Sequence, residues 1–218
     1  EFRRVLFRSL LRAHVYSDEP DAEAFLARRG FQAVQRDQYA RLDLTGGPPA
    51  PAPVPQGIRL TSLEEEPGLL PLLCATEREV SVDVPTDDVT PYRAVTEDEW
   101  RDRLARGQFR PWAVVAAMDG DQLVGFAHLE FDAPDDAAWH ELTGVRQPWR
   151  GRGVAAAMKT DLAARAAARG VPALLTTNDL RNAPIRAINE KLGYVRGPDC
   201  IGMRQDRLPG TDGQAAGA

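Results

Sequence analysis

The stretch Arg150-Gly151-Arg152-Gly153 combines side-chain and backbone groups that suit a bound anion. A glycine-rich turn into a helix presents free backbone N–H groups, and the helix dipole adds partial positive charge at the same end. Glycine has no Cβ, so a pyrophosphate can approach the backbone closely. The arginines can add charge-assisted hydrogen bonds. This stretch therefore predicts a phosphate-binding loop.

Two other phosphate-binding motifs match the same region less well. Residues 153–160 nearly form a P-loop, but Met158 stands where the second glycine is required, and Lys159 falls inside a continuous helical pattern. Residues 151–156 match the dinucleotide fingerprint G-x-G-x-x-A. That fingerprint usually follows the first strand of a parallel sheet, whereas this stretch follows an antiparallel hairpin. A nucleotide-binding oxidoreductase therefore remains the less favoured alternative.

The elements around the loop can be read from apolar spacing and turn residues. Thr96 and Glu99 form a capping box at the start of one helix, and Asp119-Gly120-Asp121 joins two apolar runs as a hairpin turn. The predicted order is a strand at 58–63, helices around 69–80 and 97–106, the hairpin, a strand at 138–145, the loop, a helix to Arg169, a strand at 172–177, a short helix ending at Gly193 and a last strand near 200–205.

Composition excludes several classes of protein. The net charge of −5 argues against general nucleic-acid binding, which requires a basic surface. No apolar run is long enough to span a membrane, and no signal-peptide pattern is present. The two cysteines, Cys74 and Cys200, lack the spacing of a metal site, so no metal is expected. These features predict a cytoplasmic protein with no membrane or nucleic-acid partner.

The clearest break in the chain is the segment Gly46–Gly57, with five prolines and three glycines. Its composition is typical of a semi-extended linker. Residues 209–218 are predicted to be a disordered tail. The sequence AEAFLARRGF ending at Phe31 resembles IRAINEKLGY ending at Tyr194, which suggests an internal repeat. The arginine-rich extreme N-terminus, residues 1–9, is expected to lie outside the native sequence.

Two separate motifs resemble the GNAT superfamily of N-acetyltransferases. Residues 150–155, RGRGVA, are similar to its R-x-x-G-x-A pyrophosphate loop, and residues 182–194, NAPIRAINEKLGY, are similar to the helix after its fifth strand. The order of the elements also matches. The resemblance implies an α/β fold with a mixed central sheet flanked by helices. It extends to the tandem-domain branch that includes mycothiol synthase. Residues 1–45 are then expected to be the C-terminal remnant of a first domain, followed by the linker at 46–57 and a complete domain at 58–208.

By resemblance, the cosubstrate is acetyl-CoA and the activity is acyl transfer. The residues expected at its pyrophosphate are Arg150, Gly151, Arg152, Gly153, Val154 and Ala155. Its pantetheine arm is expected in a splay between the strand that ends at Val145 and the strand near Leu174. Asn182 matches a family asparagine close to the pantetheine.

Acetyl transfer to an amine requires a base for the proton of the amine and a donor for the developing oxyanion. Glu141 is the predicted base, because it lies on the third strand of the domain, in phase with Thr143 and Val145. The alternative bases are Glu130, His128 and His140. By resemblance, the backbone N–H of Val145 or of a neighbour is expected to bind the oxyanion.

Asn189 occupies a position at which many members of the family carry a tyrosine. An amide can donate a hydrogen bond but cannot act as an acid at neutral pH. Asn189 is therefore predicted either to support the leaving thiolate by a hydrogen bond or only to pack the helix. For this reason a CoA-binding regulatory module without turnover is a second hypothesis.

The acceptor is predicted to be the amine of a small molecule. Residues 77–99 contain eight acidic residues and two arginines, and by resemblance they cover the acceptor pocket. An acidic rim would attract a cationic amine, although a solvated acidic loop explains the composition equally well. Asp83 is the candidate substrate-binding residue. The protein is expected to be a monomer or a homodimer.

Overall fold

The computed structural model describes residues 9–85, 92–133 and 136–207. These residues form two compact units. The larger unit runs from Tyr39 to Gly197, and the smaller unit combines the described residues up to Gln38 with those from Pro198 onward. In chain order the elements are β1 (Ser9–Tyr16), α1 (Pro20–Arg28), β2 (Gln32–Asp43), β3 (Ile58–Ser62), α2 (Leu70–Val80), α3 (Glu97–Ala105), β4 (Phe109–Asp119), β5 (Gln122–Glu130), β6 (Ala138–Val145), α4 (Val154–Ala168), β7 (Ala173–Asp179), α5 (Ala183–Lys191) and β8 (Val195–Arg207).

The larger unit is built on a mixed sheet with helices on both faces, which confirms the predicted fold class. Strands β3, β4, β5 and β6 pair antiparallel in sequence, and β6 pairs parallel with β7. Successive residues of β4 alternate between two hydrophobic clusters, because neighbouring side chains of a strand point to opposite faces. Val115 packs in the cluster with Met158 of α4, and Val114 packs in the cluster with Leu73 of α2 and Trp100 of α3.

Local signals account for most of these elements. The Thr96 hydroxyl accepts from the backbone N–H of Glu99, and the Glu99 carboxylate accepts from the N–H of Thr96, so the predicted capping box starts α3. Gly120, with φ of +57°, lies in the two-residue turn of the β4–β5 hairpin, as predicted. The helix predicted around 69–80 is α2.

The boundary between the two compact units does not fall in the Pro/Gly segment. Ala40, Leu42 and Leu44 are buried in the main cluster of the larger unit, because β2 continues into it. The segment at 46–57 also lies within this unit, and the Ala52 N–H donates to the Thr160 hydroxyl of α4 at 3.1 Å. The predicted linker at 46–57 therefore connects β2 to β3 within the larger unit. Proline-rich composition alone did not reveal these contacts.

The smaller unit pairs β1 with β8 in antiparallel register, from Ser9 opposite Arg207 to Tyr16 opposite Cys200. Its small core contains Val15, Ile201 and Met203. From Pro198 onward, β8 belongs to this smaller unit. The predicted domain from 58 to 208 stays a prediction. The predicted tail at 209–218 and the first eight residues lie outside the described chain.

The suggested repeat has matching local geometry. Gly30 follows α1 with φ of +83°, and Gly193 follows α5 with φ of +89°. After each glycine, the N–H of the next residue donates back five residues, from Phe31 to Leu26 and from Tyr194 to Asn189. Such a helix end requires glycine at the left-handed position. The origin of residues 1–45 in a duplicated domain stays a prediction.

Within the part of the chain that the structure describes, no helix combines the length and apolar character that crossing a membrane requires.

Candidate functional site

Strands β6 and β7 lie side by side over only a short distance. Their register pairs Ala138 with Leu174 and Trp139 with Leu175, and it records no further pair along these two described strands. The Thr176 hydroxyl still donates to the His140 carbonyl at 3.1 Å. Beyond that point β6 continues without β7 as its partner. The splay predicted near Leu174 therefore opens beyond Leu175, because Leu174 itself belongs to the paired end.

A β-bulge lies in β6 where the splay begins. His140 and Thr143, three residues apart, pair with Leu129 and Ala127, which are two residues apart on β5. The extra residue shifts the alternation of side chains. Thr143 consequently shares a face with His140, and the Thr143 hydroxyl lies 3.3 Å from His140 Nε2. The prediction that Glu141 is in phase with Thr143 is therefore wrong, since simple alternation assumed an unbulged strand.

The Arg-Gly stretch forms the turn that leads from β6 into α4. Gly151 and Gly153 have φ of +73° and +91°, values that residues with a Cβ rarely adopt. A Cβ at either position would meet no atom within 4 Å, so the outer side of the loop is open. No side chain caps α4, and the N–H groups of residues 151–153 donate no backbone hydrogen bond within the described residues. The buried Val154 and half-buried Ala155 add further N–H groups without intrahelical partners.

The two arginines of this loop have different surroundings. Arg150 donates from Nε to the Val145 carbonyl at 2.8 Å and from Nη2 to Asp83 at 2.6 Å. Arg152 is exposed, with no ion pair or hydrogen bond to any described residue. Arg150 therefore ties the loop to the end of β6, and Arg152 is the arginine that is available to a ligand.

The backbone of Val145 faces the splay. The N–H of Arg146 donates to Val124 of β5 at 2.8 Å. Successive backbone groups of a strand point to opposite sides, so the N–H of Val145 points away from β5. This N–H is suited to bind an oxygen of a ligand in the splay.

Glu141 lies at the bulge with its side chain exposed. Desolvation by neighbouring protein atoms, followed by the negative charges of Glu130 and Asp132, raises the pKa of Glu141 to about 7. A carboxylate with a pKa near neutrality can accept and release a proton at physiological pH. Its surroundings suit the predicted role of a base.

The alternative bases are less well placed. His128 is buried against the rings of Trp100 and Phe109, with centroids 5.0 and 4.8 Å away, and desolvation lowers the pKa of His128 to about 3. His140 is also buried, and desolvation lowers its pKa well below the usual value. Desolvation raises the pKa of Glu130, so this residue remains the second candidate.

The polar residues of α5 lie beside the open end of β7. The Asn189 carboxamide is buried, and its Nδ2 donates to Asn178 Oδ1 of β7 at 2.6 Å. Its Oδ1 has no partner among the described residues. Asn182 precedes α5 as a half-buried residue whose side chain makes no capping hydrogen bond. One unpartnered amide atom is thus positioned next to the splay.

Asp83 lies beside the Arg-Gly loop, in an ion pair with Arg150. Its charge is therefore compensated by this arginine. Three further acidic side chains of the same segment are also paired: Glu79 with Arg146, Glu97 with Arg101 and Glu99 with Arg93. Asp87 and Asp88 lie outside the described residues. The expected acidic rim for a cationic amine is thus largely neutralised in the described part.

A buried carboxylate on α2 was not predicted from the sequence. Glu77 is fully buried and accepts from the Tyr92 hydroxyl at 3.1 Å, the Val95 N–H at 2.9 Å and Trp100 Nε1 at 2.8 Å. The half-buried Tyr92 is also close enough to Glu141 for that carboxylate to raise its pKa, after desolvation and Glu77. The sequence did contain a signal for this burial. Glu77 lies four residues after Leu73 and three before Val80, so it falls on the apolar face of α2.

A second missed group lies beneath β6, where α4 packs. Tyr194 donates to or accepts from His140 Nδ1 at 3.1 Å, and Lys159 Nζ lies 5.4 Å from the centroid of the Tyr194 ring. All three side chains are buried. Desolvation lowers the pKa of Lys159 to about 7. The position of Lys159 on the buried face of α4, next to Met158, was the signal in the sequence.

Comparison with known sequences gives two matches. The model of the acetyltransferase (GNAT) family matches residues 78–194, slightly more than half of the chain. The mycothiol acetyltransferase of Brachybacterium faecium is 29% identical over 184 residues, which cover 81% of this chain and 54% of that protein. The chain therefore spans about half the length of this curated relative.

Solved structures show the same fold. A GCN5-related N-acetyltransferase from Sphaerobacter thermophilus matches with a TM-score of 0.74 and 21% identity, over 94% of this chain and 62% of that chain. A tandem GNAT protein from the clavulanic acid biosynthesis pathway matches with a TM-score of 0.68 and 19% identity, over 92% of this chain and 65% of that chain. At these identities the likeness concerns the fold alone.

Proposed function

The chain belongs to the GNAT family of acetyltransferases, and on that premise we propose that it transfers an acetyl group from acetyl-CoA directly to the amine of a small molecule. The observation that carries this proposal is the splay between β6 and β7, which opens beside the Arg-Gly loop at the start of α4. An unpaired strand edge and a set of free N–H groups are both suited to a long ligand with a pyrophosphate.

The residues of the site fit such a cosubstrate. The free N–H groups of residues 151–155 and the exposed Arg152 would hold the pyrophosphate, while Arg150 fixes the loop to β6. The Val145 N–H and the side chains of Asn182 and Asn189 would contact the arm in the splay. Acetyl-CoA supplies a thioester, whose acyl group is activated for attack by an amine.

Glu141 is the proposed base for the acceptor amine. With a pKa of about 7, it is partly ionised at neutral pH and can take the proton that the amine loses during attack. Val145 can donate its N–H to the acyl oxygen as negative charge develops there. Tyr92 and Glu130 complete the polar surroundings of Glu141. We propose that the acceptor is a small molecule and that neither nucleic acid nor membrane takes part.

A second function is favoured by one residue. Asn189 stands where many family members carry a tyrosine, and its amide cannot supply a proton to the leaving thiolate. A CoA-binding module without turnover would retain the loop and the splay but would not need an acid at this position.

Thiol release from acetyl-CoA with a panel of small amines tests the proposal. Glu141→Gln should lower the rate at neutral pH by about 10²–10⁴-fold, the usual cost of losing a general base. The rate of the parent protein should rise with pH through about 7, because the base must be deprotonated to act. Glu64→Gln, which removes an exposed carboxylate paired with Arg169 outside the proposed site, is the matched control and should retain the parent rate.

Full activity of Glu141→Gln across this pH range would show that Glu141 is not the base. A loss of activity in Glu130→Gln would then assign this role to Glu130, the second candidate. Absence of turnover with every amine, together with tight binding of acetyl-CoA, would favour the module without catalysis.

A further inference from the structure

Three side chains form a hydrogen-bonded chain that runs from the buried face of the sheet toward the splay. Tyr194 Oη lies 3.1 Å from His140 Nδ1, and His140 Nε2 lies 3.3 Å from the Thr143 hydroxyl. Tyr194 and His140 are 7% and 2% exposed, whereas Thr143 is only half-buried. The chain therefore has one accessible end, and that end is a hydroxyl on the unpaired part of β6.

The direction of the hydrogen bonds follows from the partners available. No second acceptor contacts the Tyr194 hydroxyl among the described residues, so its O–H is satisfied only by donating to His140 Nδ1. Neutral imidazole then carries its proton on Nε2 and donates to the Thr143 oxygen. The O–H of Thr143 has no acceptor within the described residues and is left to donate outward.

Burial of His140 keeps the imidazole neutral. Desolvation and then the positive charge of Lys159 lower the pKa of His140. Lys159 faces the same pair from α4, over the Tyr194 ring. A neutral ring with one N–H preserves the single direction of donation, whereas a protonated ring would donate to both neighbours.

We propose that the Thr143 hydroxyl, oriented by His140 and Tyr194, donates a hydrogen bond to the sulfur of the acyl-CoA thioester and to the thiolate that leaves. The inference rests on the proposed function, because it assigns a partner to the cosubstrate in the splay. Thr143 would be a catalytic residue, and His140 and Tyr194 positioning residues.

The hydrogen bond from Thr143 would stabilise the leaving thiolate, which Asn189 cannot protonate. During transfer the new C–N bond forms, the C–S bond breaks, and its electron pair stays on sulfur as a thiolate. Glu141 receives the proton of the amine. Thr143 keeps its own proton and stabilises the thiolate by donation, so no acid is required at position 189.

The first experiment measures the pKa of the CoA thiol bound to the protein, from the ultraviolet absorbance of the thiolate as a function of pH. Thr143→Val should raise this pKa by about one unit relative to the parent, equivalent to a tenfold loss of thiolate stabilisation. Thr143→Ser retains the hydroxyl and should behave like the parent. An unchanged thiol pKa in Thr143→Val would overturn the proposal.

The second experiment examines the positioning residues without turnover. Nitrogen NMR of the parent should find the His140 proton on Nε2, and Tyr194→Phe should redistribute it between the two nitrogens.

A third experiment measures turnover. In the amine assay, Thr143→Val should lower kcat about 10-fold with little change in KM, and Thr143→Ser should restore the parent kcat.

The outcomes distinguish a failure of the role of Thr143 from a failure of the proposed acetyl-CoA-dependent function. Acetyl transfer that proceeds equally fast in the parent and in Thr143→Val overturns only the role of Thr143. A proton found on His140 Nδ1 in the parent also overturns it, because Thr143 would then donate inward. Absence of CoA binding to the parent protein would overturn both this inference and the proposed function.

Discussion

Two groups of buried polar side chains differ in how completely the protein satisfies them. On the α2 side, Glu77 accepts from three donors at residues 92, 95 and 100. On the α4 side, the chain from Tyr194 through His140 ends at Thr143, whose donor has no acceptor among the described residues. A closed network fixes structure, because every partner lies within the protein. An open network that reaches the splay indicates a place for a ligand.

The largest expected effect concerns the closed network. Glu77→Leu would leave the Tyr92 hydroxyl, the Val95 N–H and the Trp100 indole without an acceptor, and each buried donor costs roughly 1–3 kcal/mol when unpaired. We expect the free energy of unfolding to fall by at least about 3 kcal/mol in urea titrations. Glu77→Gln should cost less, since it keeps one acceptor oxygen.

Glu97→Leu is the matched control, because Glu97 is only half-buried and its ion pair is with Arg101 on the same helix. Its loss should change the free energy of unfolding by less than about 1 kcal/mol. If Glu77→Leu is no more destabilised than this control, the Glu77 network does not hold α2 and α3 together.

A smaller effect is expected from Lys159, on the side of the open network. Burial lowers the pKa of Lys159 from 10.5 to about 7, so the folded protein binds fewer protons than the unfolded chain between these pH values. Its contribution to stability therefore rises with pH from about 7 to 10 and is lost as the pH falls through 7. Lys159→Met should raise the free energy of unfolding at pH 6 by roughly 1–3 kcal/mol and flatten this pH dependence.

Lys191→Met removes an exposed lysine from the end of α5 and should leave both the stability and its pH dependence nearly unchanged. An equal pH dependence in the parent and in Lys159→Met would mean that Lys159 is solvated and does not share the buried environment of His140.

Local sequence signals predicted most of the elements and the position of the loop. The capping box at Thr96, the turn at Gly120 and the Arg-Gly turn into α4 each depend on neighbouring residues, so they can be read from short stretches. The same holds for α5, whose end at Gly193 repeats the geometry seen at Gly30.

The features that the sequence did not predict depend on distant partners. The bulge in β6 is defined only by its register with β5, and it changes which side chains share a face with His140. The pairing of Arg150 with Asp83 joins residues 67 positions apart. The larger unit begins at Tyr39, in the middle of β2, because Leu42 and Leu44 are buried in its core. Local composition predicts none of these contacts, because each depends on residues that are distant in the sequence.

The most direct test of the account is a calorimetric titration of acetyl-CoA into the parent protein and into Arg152→Ala. The account predicts saturable binding to the parent and an affinity about 10–100-fold weaker in Arg152→Ala, because one charge-assisted contact to the pyrophosphate is lost. Arg106→Ala, an exposed arginine on another turn, should bind like the parent. Binding of NAD in place of acetyl-CoA, or an affinity for acetyl-CoA that Arg152→Ala leaves unchanged, would contradict it.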